Sequence, residues 1–238
     1  MVRKESTIDF QALMSPSKKG SSLKTKPSPP LPNLDLEYAV VESSGATLIA
    51  GIDEAGRGSI AGPVYAAAVI LPLNDPEKIA ALGNVNDSKK MTARQREHAY
   101  DLIMENALAY GLGSTPASTI DREGIIPANA QAMMKAVAML EPEAQYLLID
   151  GRMRLRNLSL PQESIIRGDS KSLSIAAASI LAKVSRDRYM ISLAKWYPDY
   201  GLDHNMGYCT AEHVAALDLH GPCPEHRYSF SPIRLSLL

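Results

Sequence analysis

Three apolar runs in this chain each end in an acidic residue, and that arrangement narrows the folds open to it. Residues 47–52 lead into Asp53-Glu54, Gln145-Tyr146-Leu147-Leu148-Ile149 into Asp150, and Ile165-Ile166-Arg167-Gly168 into Asp169. Short apolar runs bounded by turn residues read as buried strands, and open sheets place their chemistry at the strands' C-terminal ends. The sequence therefore predicts one sheet with an acidic pocket at one edge. Hard divalent cations take oxygen ligands from several converging carboxylates, so a metal site is the chemistry this pattern points to. Taken singly, an Asp after a strand is as well explained by a turn or a helix cap. Asp53-Glu54 resists that explanation, because adjacent like charges repel unless they are exposed or bound to a cation.

The intervening segments alternate strand and helix. Residues 64–71 read as a second buried strand entered through Gly62-Pro63, and the glycine-rich turn before it favours a hairpin with residues 47–52. A capping box, Thr92-Ala93-Arg94-Gln95, opens a helix over 92–110 with Ala99, Leu102, Ile103 and Ala107 on one face, and residues 110–114 form a short strand. A further helix covers 128–140, with Pro127 at or just before its start and Met133, Ala136, Val137 and Leu140 as its stripe. Residues 172–195 carry Leu173, Ala176, Ala177, Ile180, Leu181 and Val184 at helical spacing, the small ones allowing close packing on a sheet. The Gly-, Pro- and His-rich residues 197–232 predict short helices and loops over the site.

The acidic runs belong to longer blocks. Gly51-Ile52-Asp53-Glu54-Ala55-Gly56-Arg57-Gly58 continues to Ala61-Gly62-Pro63-Val64; then come Asn86-Asp87-Ser88-Lys89-Lys90 and Ile149-Asp150-Gly151. Last is Gly168-Asp169-Ser170-Lys171-Ser172, leading into Ile175-Ala176-Ala177-Ala178-Ser179-Ile180-Leu181-Ala182-Lys183-Val184. In order and spacing these blocks resemble ribonuclease HII of the bacterial type, over residues 49–232. The resemblance implies an α/β, ribonuclease H-like fold: a mixed central sheet of about five strands flanked by helices, with a C-terminal helical and loop segment. Residues 1–45 are then a disordered or extended tail, 46–196 the catalytic core, and 197–238 a segment closing over the substrate site.

The activity implied is that of a metal-dependent endonuclease. It cuts the RNA strand of RNA–DNA hybrids, and cuts 5′ of single ribonucleotides in duplex DNA, leaving 3′-hydroxyl and 5′-phosphate ends. Asp53, Glu54, Asp150 and Asp169 are the catalytic and metal-binding residues, expected to hold two magnesium or manganese ions, since an all-oxygen site suits hard ions. By the same resemblance, Gly56-Arg57-Gly58 reads the 2′-hydroxyl with backbone groups, and Tyr208 stacks on the sugar at the RNA–DNA junction. Lys89, Ser170 and Lys171 complete the substrate-binding set, with the lysines as phosphate contacts. The chain departs from the family pattern at Ser59, where proline is frequent, at Met206, where lysine is, and at Cys209, where glycine is. Ser59 and Cys209 affect loop geometry, whereas Met206 removes one phosphate contact.

Charge and composition set limits on these expectations. A net charge of −1 is unusual for a duplex binder, so any phosphate-binding surface must be local. Lys171, Lys183, Arg186, Arg188 and Lys195 offer one such surface, or else a solvated helix face. Cys209 and Cys223 lack metal-ligand spacing and fit free thiols in a reducing compartment, hence a cytoplasmic protein, and a monomer is expected, although the sequence carries no signal of oligomeric state. The uncharged residues 60–73 are broken by Pro63 and Pro72 and are too short to span a bilayer. A dinucleotide-binding reading of the glycine turn fails, because a second strand follows where a helix should begin and Asp53-Glu54 would repel a pyrophosphate. A noncatalytic hybrid binder on the same fold gains nothing from acidic residues facing phosphates. At the extreme C-terminus, Arg234-Leu235-Ser236-Leu237-Leu238 resembles the peptide by which bacterial repair enzymes dock on the sliding clamp. Leu235, Leu237 and Leu238 would be its anchors, with Arg234 where glutamine is preferred; the alternative is packing on their own domain.

Overall fold

The computed structural model describes residues 31–233. Strands β1 (Ile49–Ala55) and β2 (Val64–Ile70) pair antiparallel across the glycine-rich turn. β3 (Ala109–Thr115) adds antiparallel to β2, while β4 (Tyr146–Asp150) runs parallel to β1 and β5 (Gln162–Ile165) parallel to β4. The result is a mixed five-stranded sheet in the order β3-β2-β1-β4-β5, as expected. In chain order the helices are α1 (Asp35–Ser44), α2 (Pro76–Ala81), α3 (Ala93–Asn106), α4 (Ala117–Glu123), α5 (Ile125–Ala138), α6 (Leu173–Ala194), α7 (Leu202–Asn205) and α8 (Ala211–His220).

Strand alternation divides the apolar residues between two layers. Ala50, Ile52, Ala66 and Ala68 face Ala132, Met133 and Ala136 of α5, with Ile120 of α4. On the other face, Ala67 and Val69 pack on Ala176, Ala177, Ile180 and Leu181 of α6 and on Ala99 and Ile103 of α3. The approach of α6 to β1 is so close that a Cβ on Gly51 would lie 2.2 Å from the Ser174 carbonyl carbon. Burying α6 in this way stabilises by about 25 cal/mol for each Å² of apolar surface removed from water and ties Asp169, just before it, to the sheet.

Several boundaries differ from the sequence reading. The capping box holds, with the Thr92 hydroxyl accepting from the Gln95 backbone N–H and the Gln95 side-chain Oε1 from the Thr92 N–H, but α3 ends at Asn106. α5 starts at Ile125, so Pro127 lies inside the first turn, where no backbone N–H is required. β1 continues to Ala55, which puts Asp53 and Glu54 within the strand rather than just after it. The tail expected over residues 1–45 gives way to helix at 35–44. There α1 is fixed by buried Glu37, whose carboxylate accepts from the Ser172 and Ser174 hydroxyls (each 2.6 Å) and the Ser174 N–H (3.0 Å). The rest of that tail, residues 1–30, and the C-terminal leucines lie outside the described residues.

Candidate active site

The register of the sheet sets the carboxylates in place. Ile52 pairs with Ile149 on the parallel strand β4, so Asp53 and Asp150 follow side by side one step beyond. Asp53 shares a strand face with Gly51, against α6, and Asp150 shares its face with Leu148, which packs on Ile175 of the same helix. Asp169 precedes α6 in a short 3-10 turn over Gly168–Ser170. Asp150 holds that turn, its Oδ1 accepting from the Gly168 N–H at 2.6 Å. Neighbouring strand residues point to opposite faces, so Glu54 looks the other way, toward α5. There it meets the amide of Asn129, a buried residue that the sequence did not single out, and Arg57 at 3.5 Å.

This grouping is electrostatically expensive. Burial, followed by the charges of Glu54 and Asp150, pushes the Asp53 carboxyl well above its ordinary range, with a smaller contribution from Asp169. Burial is also the main cause that raises Asp169, followed by the charges of Asp87 and Asp150, with Lys89 and Lys90 opposing. Glu54 is raised by burial against the pull of Asn129 and Arg57. Lys89 Nζ lies 3.9 Å from Asp169 Oδ2 on an exposed side chain; burial lowers its pKa, but Asp53, Asp169, Asp87 and Asp150 outweigh that and raise it. An external cation would relieve the same repulsion. Among the described residues no three His, Cys, Asp or Glu groups enclose an ion on their own. The donor set is all oxygen and open. It fits a hard ion of the magnesium type, which keeps several waters and completes its shell with substrate phosphates. Asn129 Oδ1, buried beside Glu54 with no hydrogen-bond partner among the described residues, adds a further oxygen to that end of the set.

The turn after β1 is built in the opposite sense. Buried beneath it are the guanidiniums of Arg186, from α6, and Arg227, from the C-terminal segment. Arg227 donates to the carbonyls of Gly56 (2.8 Å), Arg57 (3.0 Å), Ser59 (2.7 Å) and Gly62 (3.0 Å). Arg186 donates to the carbonyls of Ala61 and Pro63 (both 3.0 Å) and Met206 (2.8 Å), and to the Ser59 hydroxyl (2.7 Å). Neither forms a salt bridge among the described residues. Burial and the charge of Arg186 bring Arg227 down to about 9. Gly56 has φ +82°, and a Cβ there would lie 1.8 Å from Arg186 Nε, so glycine is required on both counts. With the carbonyls turned inward, the Arg57 and Gly58 N–H groups are left on an exposed stretch with no backbone partner among the described residues.

Tyr208 is brought to this turn. The Gly207 carbonyl accepts from Ile60 N (2.8 Å) and Ala61 N (3.2 Å), and the exposed Tyr208 ring lies 5.6 Å from the Arg186 guanidinium and 5.7 Å from Lys183 Nζ. Two buried imidazoles in line support it from behind. The Tyr208 carbonyl lies 2.9 Å from His213 Nδ1, His213 Nε2 lies 2.9 Å from His226 Nε2, and His226 Nδ1 accepts from the Cys223 N–H at 3.0 Å. Arg186 thus corrects the expected basic surface: it is a buried strut, Lys183 pairs with Asp187 at 2.7 Å, and Arg188 is tied to Glu97 and stacked on Tyr100. Lys171 and Lys195 stay exposed, while the Ser170 hydroxyl donates to the Arg167 carbonyl at 2.9 Å. Spacing offered a clue to Arg186: it stands four residues from buried Ala182 and four from buried Met190 on one helix face.

A mixed sheet of this order, with carboxylates grouped where β1 and β4 end against a long buried helix, defines the ribonuclease H-like class. Solved structures agree in fold. That of ribonuclease H2 from Pyrococcus horikoshii OT3 superposes with a TM-score of 0.67 at 23% identity, covering 79% of this chain and 95% of that one. The RNase HII of Archaeoglobus fulgidus, solved as a complex with PCNA, gives 0.63 at 24% identity over 77% and 95%. The family model described as Ribonuclease HII matches residues 50–233, and the chain belongs to that family. A ribonuclease HII of Geobacillus sp. (strain WCH70) is 51% identical over 190 residues, covering 80% of this chain and 66% of the relative.

Proposed function

We propose that this chain hydrolyses the RNA strand of RNA–DNA hybrids and cuts on the 5′ side of single ribonucleotides in duplex DNA, leaving a 3′-hydroxyl and a 5′-phosphate. The observation that carries this reading is the continuity of β1 with the turn after it: one strand end supplies the acidic cluster and, within a few residues, backbone donors cleared of competing carbonyls. Such donors suit a 2′-hydroxyl, the group that separates RNA from DNA. Tyr208 offers an open ring face to the neighbouring sugar, and Lys89 a positive charge to a phosphate. Asp53, Glu54, Asp150 and Asp169 would hold two magnesium or manganese ions, which when bound supply a Lewis acid and a water of lowered pKa. Ser170 and Lys171, next to Asp169, belong to the same substrate-binding set.

The test is a labelled duplex with one ribonucleotide, incubated with and without magnesium beside an all-DNA control. A single magnesium-dependent cut 5′ of the ribonucleotide is expected; equal cutting of the control, or none with either magnesium or manganese, would refute the proposal. Docking on a sliding clamp through Leu235, Leu237 and Leu238 is part of the same proposal, supported by the PCNA complex of the Archaeoglobus protein. Equal clamp binding by the full chain and by one ending at Ile233 would remove it. We propose a cytoplasmic monomer; for the compartment, the free thiols of Cys209 and Cys223 suit reducing surroundings.

A further inference from the structure

A groove of about 560 Å³ opens beside the acidic cluster, between α5 and the loop joining β4 to β5. Arg57, Arg152, Arg154 and Arg156 line it over an apolar floor that includes Ile126 and Met134. The last three arginines are exposed and make no salt bridge among the described residues. Their loop is nevertheless held in place. Leu155 is buried, the Gln162 side chain accepts from the Leu155 N–H (2.7 Å) and donates to its carbonyl (3.0 Å), and the Ser164 hydroxyl donates to the Met153 carbonyl (2.5 Å). Anchoring at 153 and 155 leaves 152, 154 and 156 to project, so the positive charges are presented by a braced loop. They begin two residues after Asp150, and the groove shares Arg57 with the turn after β1.

We infer that this groove binds the sugar-phosphate backbone of the duplex flanking the cleavage site, with Arg152, Arg154 and Arg156 as phosphate contacts. The inference rests on the reading of the site given above and extends its footprint along β4. In a chain of net charge −1, arginines clustered without salt-bridge partners next to a carboxylate site make a local positive surface that suits an anionic ligand arriving with the substrate. Arginine's planar fork matches phosphate oxygens, which a lysine meets only as a point charge.

The test is duplex binding in EDTA, measured on all-DNA and ribonucleotide-bearing duplexes at several salt concentrations. The chain would carry Arg152, Arg154 and Arg156 all changed to Ala, or all to Lys. Each phosphate contact adds about 0.9 to the slope of log affinity against log salt, so the alanine chain should lose about 2–3 from the slope and bind at least about tenfold more weakly. The lysine chain should keep most of the slope. Unchanged slope and affinity in the alanine chain would overturn the inference, as would a lysine chain as impaired as the alanine one, since that would mark a structural effect. Cleavage by the unaltered chain reports on the active site, whereas the slope in EDTA reports on the groove alone, so the two fail separately.

Discussion

The ends of β1 and β4 and the turn after β1 bury charges of opposite sign and satisfy them by opposite means. Asp53 and Asp169 crowd like charges that Lys89 and Lys90 relieve only in part, and their raised pKa values reflect burial and that crowding. Arg186 and Arg227 are also buried, yet each makes four hydrogen bonds, Arg227 to carbonyls of the turn and Arg186 to turn carbonyls, the Ser59 hydroxyl and the Met206 carbonyl. The first region is therefore poised for a ligand at the expense of stability. The second is complete without one, and rigid. Neutralising a charge should stabilise the first and damage the second.

Asp53→Asn gives the widest separation. Cleavage should fall on the order of a thousandfold, as expected when a group that organises transition-state charge is lost, while the thermal midpoint stays level or rises. A clear drop in the midpoint would break the contrast. Asp150→Asn and Asp169→Asn should behave alike in cleavage. Arg227→Ala should do the reverse in stability, costing about 3 kcal/mol in chemical denaturation because several buried carbonyls lose their donors at once. Arg227→Lys should recover only part of this, having one nitrogen for the same carbonyls; full recovery would show that charge alone matters there.

Tyr208→Ala sharpens the comparison by touching the surface of the turn without disturbing its struts. Loss of about 1–3 kcal/mol of stacking should fall more heavily on a single embedded ribonucleotide than on a long hybrid, read as the ratio of kcat/KM values. Equal losses would contradict a junction role. The smallest effect concerns pH. His226 is held down to about 4 by burial and by the charge of His213, and His213 is itself lowered by burial. The folded state thus takes up these protons later than the unfolded one. Stability from the neutral pair is present above about pH 6.5 and is lost as pH falls toward 4. The protection factors of the amides around residues 207–213, taken relative to intrinsic exchange at each pH, should fall between pH 7 and 5, and His226→Gln should flatten that profile; constant protection in the unaltered chain would exclude the histidines.

The acidic cluster was legible because apolar runs and turn residues mark strand ends whatever surrounds them. The hairpin and α3 carried equally local signals, in the glycine-rich turn and the Thr92 capping box. α1 was not legible: what fixes it is Glu37 reaching Ser172 and Ser174, a contact spanning 135 and 137 residues that no local pattern reports. Arg186 was read as surface because arginine usually is, and only burial among the carbonyls of a distant turn reverses that. The opposite directions of Asp53 and Glu54 follow from strand alternation, but only once β1 is known to run through both. Arg152, Arg154 and Arg156 formed no pattern until the loop was seen to be braced against β5.

Arg227 also fixes an order of assembly. It reaches back across 171 residues to the Gly56 carbonyl, so the turn gains its final form only after residue 227 has joined it. Contacts so distant in sequence close late, after local helices and the hairpin have formed. A nascent chain thus carries its acidic residues well before the arginine that draws the Gly56 carbonyl inward, and the turn after β1 takes its final form late.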